Sequence, residues 1–202
     1  MKQNQFWRYL VGSIILTLSI QSVASAHTGA GDPNGFLHGL GHPIGGLDHV
    51  LAMVAVGLWA AQIGGKALWL VPSVFVVAMA GSSVLGHLAI PLPGIEQGIL
   101  ASDFLLGLLM LIAPRLPLAV SMGIVGILAI FHGYAHGAEM PETASGLMYG
   151  VGFILSTATL HLTGIGMGLS IDKFQPIFRQ QLFRAGGAAV VIGAAYILVT
   201  NY

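Results

Sequence analysis

Three histidines and an aspartate crowd into one short run, His38-Gly-Leu-Gly-His42-Pro-Ile-Gly-Gly-Leu-Asp48-His49. A second set, His132, His136 and Glu139, is spaced i, i+4 and i+7. Imidazole and carboxylate at this density are the donor set of a divalent transition metal, with nickel, cobalt, zinc and copper(II) all open. Cysteine is absent, which excludes disulfides, thiolate sites and iron–sulfur clusters. Eight histidines outnumber the seven lysines and arginines, so imidazole dominates the nitrogen chemistry of the chain. Only neutral imidazole binds metal, so binding should weaken as the pH falls toward about 6.5 and below.

Both sets lie in apolar surroundings. Of 202 residues, 55% are hydrophobic and 7% charged, with a mean hydropathy of +0.86. Soluble domains carry about 25% charged residues, so this is an integral membrane protein whose first partner is the lipid bilayer. No basic surplus points to nucleic acid. The chain reads as all-α, a polytopic helix bundle with six transmembrane helices after a cleavable signal peptide. Residues 1–26 supply the leader: Lys2 and Arg8, an apolar run from Leu10 to Ile20, then Ala24-Ser25-Ala26 as the cleavage site. An uncleaved first helix is the competing reading. Residues 27–202 then form the transmembrane domain, with helices near 38–62, 67–90, 96–113, 116–136, 143–167 and 183–200, each close to the about 20 residues a span requires. The stretch 168–182 reads as a solvated interfacial loop.

Cleavage would make His27 the first residue, where a free α-amine beside an imidazole could chelate a metal; a plain polar tail over 28–34 is the alternative. It would also place the mature N-terminus outside the cytoplasm. The loops that then face inward hold Lys66, Arg115, Lys173, Arg179 and Arg184, every basic residue beyond the leader. The outward loops carry Asp32, Glu96, Glu139 and Glu142. This is the positive-inside pattern of a multi-pass protein of the cytoplasmic (inner) membrane.

On that topology the first helix starts, and the fourth ends, at the outer face, so both donor sets share one half of the bilayer. On a continuous helix His42 and His49 fall about 40° and 20° around from His38, and Asp48 about 80° away. Asp48 and His49 therefore point differently: one takes the ion while the other orients a ligand. Pro43 is expected to divide the run, with His38 and His42 above it as capture ligands and Asp48 and His49 below as the transport site. His49 would lie about 16 Å along the axis from His38. Burying such groups is costly, which makes them functional candidates. His87, Glu96, Asp103 and His161 are weaker ones, since a lone membrane histidine is often a packing residue. Gly146 and Gly150, four apart, then Gly152, Gly164, Gly166 and Gly168, and Gly186, Gly187 and Gly193, favour close helix packing, and a homo-oligomer stays open.

At His42-Pro-x-x-Gly-x-Asp48-His49 and Phe131-His132-Gly-x-Ala-His136-Gly-x-Glu139, the chain resembles the HupE/UreJ family of nickel and cobalt permeases. The resemblance covers the leader and essentially the whole mature chain. It implies uptake of Ni²⁺ or Co²⁺, supplying hydrogenase, urease or cobalamin synthesis. It also implies that His42, Asp48, His49, His132, His136 and Glu139 handle the metal. The broader nickel–cobalt transporters bear a histidine, four residues, then Asp-His; here five residues separate His42 from Asp48.

The leading expectation is thus a secondary permease, not an enzyme, with no prosthetic group and Ni²⁺, Co²⁺ or Zn²⁺ as cargo. A phosphate-binding loop fails, because Ala60 stands where its first glycine belongs and Ala67 follows Gly65-Lys66. Two other classes remain in view. A b-type haem carrier would use His49 and His132 as axial ligands. An intramembrane zinc hydrolase would use three histidines and an acid, although His132 is followed by Gly133 and the HExxH pattern is absent.

Overall fold

A computed structural model describes residues 35–141 and 145–201. The leader, His27, Asp32 and Glu142 lie outside the described residues. Seven helices follow one another: α1 (Gly35–Gly45), α2 (Leu47–Ile63), α3 (Ala67–His87), α4 (Ile95–Ile112), α5 (Leu118–Ala138), α6 (Gly146–Ile171) and α7 (Pro176–Asn201). The helices α3 to α7 are each long and apolar enough to cross a bilayer. α1 and α2 qualify only as a pair, bent by 80°, so the described residues hold five candidate spans, or six if the bent pair counts as one. Large apolar side chains such as Val77, Leu147, Ile192 and Val199 cover the outside, as a lipid-facing surface requires.

The single first helix expected over 38–62 is two helices, and the break is not at Pro43. Gly46 is extended at φ −100°, ψ 125° and opens α2. Pro43 is buried inside the last turn of α1. A proline disturbs the helix ladder at its own amide and the preceding turn; α1 ends two residues later, so little ladder is left to lose. The bend also removes the continuous stripe and the 16 Å descent that a straight helix would have given.

Helix α2 is the central element and packs against α1, α3, α4, α6 and α7. α3 pairs with α5, α4 pairs with α7, and α6 lies along both α1 and α2. In lipid, helices gain little from hiding apolar area from one another, so close backbone approach matters more. The glycines show where it occurs. A Cβ on Gly57 of α2 would strike the backbone oxygen of His161, and one on Gly164 of α6 that of Val54. Gly39 and Gly152 make the same kind of crossing between α1 and α6. Thus α6 splints both halves of the broken passage. Gly86, Gly133 and Gly137 bring α3 and α5 together in the same way. Gly146 and Gly150 make no such crossing: a Cβ there would meet only Met140 or Phe153 side-chain atoms at ordinary distances of 3.5 and 3.9 Å.

The interfacial loop expected over 168–182 is also shorter. α6 runs on to Ile171 and α7 opens at Pro176, whose fixed φ and missing N–H suit a first helical position. Arg179 reaches back across the turn to Asp172 at 3.5 Å. With 26 residues, α7 is about 39 Å long, longer than the hydrocarbon core, so its first turns extend into the interface.

Candidate metal centre

The break at Gly46 turns the end of α1 toward the start of α2, and the end of α5 packs beside them. One nitrogen each of His42, His49 and His136 lies within 4.8 Å of the other two. The rings of His42 and His49 stand 4.9 and 4.8 Å from that of His136, centre to centre. A metal–nitrogen bond is about 2.1 Å, so donors sharing one ion lie no more than about 4.2 Å apart. Small side-chain rotations would close the difference. Exposure falls in steps from the rim: the Glu139 side chain is 54% exposed, that of His42 25%, and His136 is fully buried.

Local structure sets each donor. Asp48 and His49 occupy the first turn of α2, where free amides and the helix dipole favour a carboxylate. Asp48 Oδ1 accepts from the His49 amide at 2.8 Å and from His49 Nδ1–H at 2.9 Å. That bond leaves the lone pair on Nε2, which is buried without a partner. Asp48 thus orients the His49 ring, and His49 Nε2 is left open as a potential donor, which separates the two roles that the sequence left unassigned. A Cβ on Gly46 would come within 2.6 Å of Asp48 Oδ1 and 3.1 Å of His49 Nδ1. The residue that breaks the helix also leaves room for the pair.

His132 and His136 share the buried face of α5. The His136 ring stacks on Phe153 of α6 at 5.1 Å and 12°, and neither of its nitrogens has a partner. His132 Nε2 lies 2.8 Å from Ser102 Oγ, whose own proton goes to the Ile99 carbonyl. The hydroxyl must then accept from Nε2–H, which leaves the His132 lone pair on the buried, unpartnered Nδ1. The His132 ring is 5.1 Å from that of His49. Ser102 escaped the sequence reading; a serine beside Asp103 in an apolar helix was its only signal. Glu139 caps α5 and meets His42 Nε2 at 3.1 Å. The bond with His42 lowers its carboxyl below the ordinary value, with partial burial opposing.

The other candidates fall elsewhere. His38 is half-buried on α1 and stands outside the three-histidine set. His87 is exposed at the end of α3. Glu96 is exposed and, with Asp48, Leu100, Ile197 and Asn201, lines a cavity of about 230 Å³. Asp103 is fully buried, with neither oxygen hydrogen-bonded. His161 is buried in the middle of α6. Buried polar atoms are ordinarily paired; among the unpaired ones here are His49 Nε2, His132 Nδ1 and both nitrogens of His136. A cation is the partner that takes lone pairs.

The HupE / UreJ protein family matches residues 15–197. The chain belongs to the HupE/UreJ family. Among curated proteins, Protein HupE of Rhizobium leguminosarum bv. viciae is 43% identical over 189 residues, covering 93% of this chain and 97% of that protein. No solved structure shows a significant match. The span matched by the HupE/UreJ family contains every site residue from His38 to Glu139.

Proposed function

We propose that this HupE/UreJ chain is a secondary permease that takes up a divalent transition-metal cation, Ni²⁺ or Co²⁺, across the cytoplasmic membrane. The observation that carries the reading is the meeting of His42, His49 and His136 from three helices, with donor atoms within 4.8 Å. Glu139 forms the rim, His42, His49 and His136 the binding site, and His132 a further donor beneath. The cation arrives from outside the cytoplasm, the orientation that the loop charges favour, with residues 1–26 removed as a signal peptide. The nickel or cobalt assignment rests on the family resemblance and on the imidazole–carboxylate donors.

Radioactive nickel uptake by cells expressing the protein, with cobalt and zinc as competitors, tests this. Asp48→Asn and His49→Ala should abolish accumulation while the protein still reaches the membrane. Normal uptake by both variants would overturn the proposal. The haem alternative loses ground on geometry: with ring centres 5.1 Å apart, His49 and His132 leave no slot for a macrocycle between them.

A further inference from the structure

Below the three-imidazole centre, one histidine has neither a partner nor a role. His161 is 2% exposed, and both of its ring nitrogens are buried without a hydrogen bond. A neutral imidazole carries one N–H and one lone pair, and leaving both unmet in a water-poor interior is costly.

Its position relates it to the centre. Tyr149, Phe153, Thr157 and His161 recur every four residues on α6, in a slowly turning stripe about 18 Å long. Tyr149 lies 6.2 Å from the His42 ring, and Phe153 stacks on His136. One turn further, the Thr157 hydroxyl donates to Met79 Sδ at 3.7 Å. His161 ends the stripe. The Phe75 ring stands 5.6 Å from His132 and 5.1 Å from His161. A single aromatic ring therefore touches both buried His132 and the orphan.

We propose that His161 is a second, inner ligand for the divalent cation, reached after the ion leaves the three-imidazole centre and passes Phe75. This rests on the permease reading. One imidazole, with the Thr157 hydroxyl a turn above, is a poorer donor set than three imidazoles. That suits a transit site, since a conducted ion must bind strongly enough to enter and weakly enough to leave. The competing role is packing alone: a cleft of about 310 Å³ lined mostly by apolar groups such as Trp69, Pro72 and Leu162, with Ser73, opens beside His161.

The test uses the full chain, purified for Ni²⁺ and Co²⁺ binding and reconstituted in liposomes for Ni²⁺ entry. His161→Leu should cut transport at least tenfold, keep the affinity of the tighter site within twofold, and remove a second, weaker Co²⁺ equivalent from the absorption titration. His161→Gln, which keeps a polar donor and similar size, should fall between; it decides by the same readings if the leucine variant does not elute as wild type does. Transport at the wild-type rate in His161→Leu, alongside failure of His49→Ala, overturns this inference and leaves the permease reading standing. Loss of the tighter site together with transport assigns His161 a structural role and also overturns it. A wild-type protein that neither binds nor moves Ni²⁺ or Co²⁺ overturns both.

Discussion

Where α1 and α5 end, imidazole nitrogens face one another in the interior without partners. Where α2 and α4 end, the interior is filled by Trp59, Ala60, Val71, Met110 and Phe183, and Lys66, Arg115 and Lys173 stand exposed. Gln62 of α2 ties that end to α4 by donating to the Met110 carbonyl at 3.1 Å. The histidine end is built on a helix break, the basic end on continuous helices. A broken helix places free amides and a carboxylate at depth, which is tolerable in a membrane only where protein surrounds them. On the permease reading, the described conformation receives a cation at one end and is sealed at the other. On that reading, release requires movement where α2 and α4 end and α3 and α7 begin.

The strongest blow to this contrast is removal of a donor. His136→Ala should weaken Ni²⁺ binding at least 100-fold by calorimetry, because loss of a supporting partner alone typically costs 10–100-fold. Retained affinity would place the ion elsewhere. Asp48→Asn should fall within that 10–100-fold range, since it frees the His49 tautomer while sparing the ring.

Two glycines separate site from scaffold. Gly46→Ala should lower Ni²⁺ affinity about tenfold, through pressure on Asp48, yet barely move the thermal midpoint, because φ −100°, ψ 125° suits alanine. Gly164→Val should do the reverse of sparing the fold. It drives a side chain into the Val54 backbone where α6 crosses α2, at a cost of roughly 1–3 kcal/mol or more, read as a lower melting temperature. Equal effects of both on melting would erase the distinction between a local site residue and a crossing residue.

The smallest effect belongs to the rim. Glu139→Gln should slow Ni²⁺ capture severalfold at low ionic strength and much less at high salt, since an exposed charge acts mainly on encounter. The Glu139 carboxyl is lowered from its ordinary 4.5 by the bond with His42. Its contribution to stability is then fully present above pH 4.5 and is lost as the pH falls through the lower folded value. Melting curves of wild type and Glu139→Gln should converge only in that acid range; convergence near neutrality would dissolve the pair.

Hydropathy and loop parity made much of this architecture legible. Apolar runs marked the crossing helices, and an even number of helix ends brought His42 and Glu139 to one face. Parity gives them a common face, and the packing of α5 beside the end of α1 brings them to 3.1 Å. The i, i+4 spacing likewise placed His132 and His136 on one buried side of α5. Other features needed distant partners. Of the glycines that the sequence offered for packing on α6, Gly152 and Gly164 carry crossings and Gly146 and Gly150 do not, because a small residue matters only where another backbone approaches it. Ser102 reaches His132 across 30 residues, and no spacing rule encodes that.

The amino-acid sequence by itself determined that this is a helical membrane protein with imidazole and carboxylate concentrated at one end, since hydrophobic length and residue type are local properties. Tertiary structure decided which donors meet. Pro43 looked like the divider because proline constrains its own turn, but the chain turns at Gly46, where α6 can hold both halves. His42 and His49 consequently share one centre instead of standing on opposite sides of a divide. Proximity across a bend depends on the helices that pack against it, and no single segment contains that information.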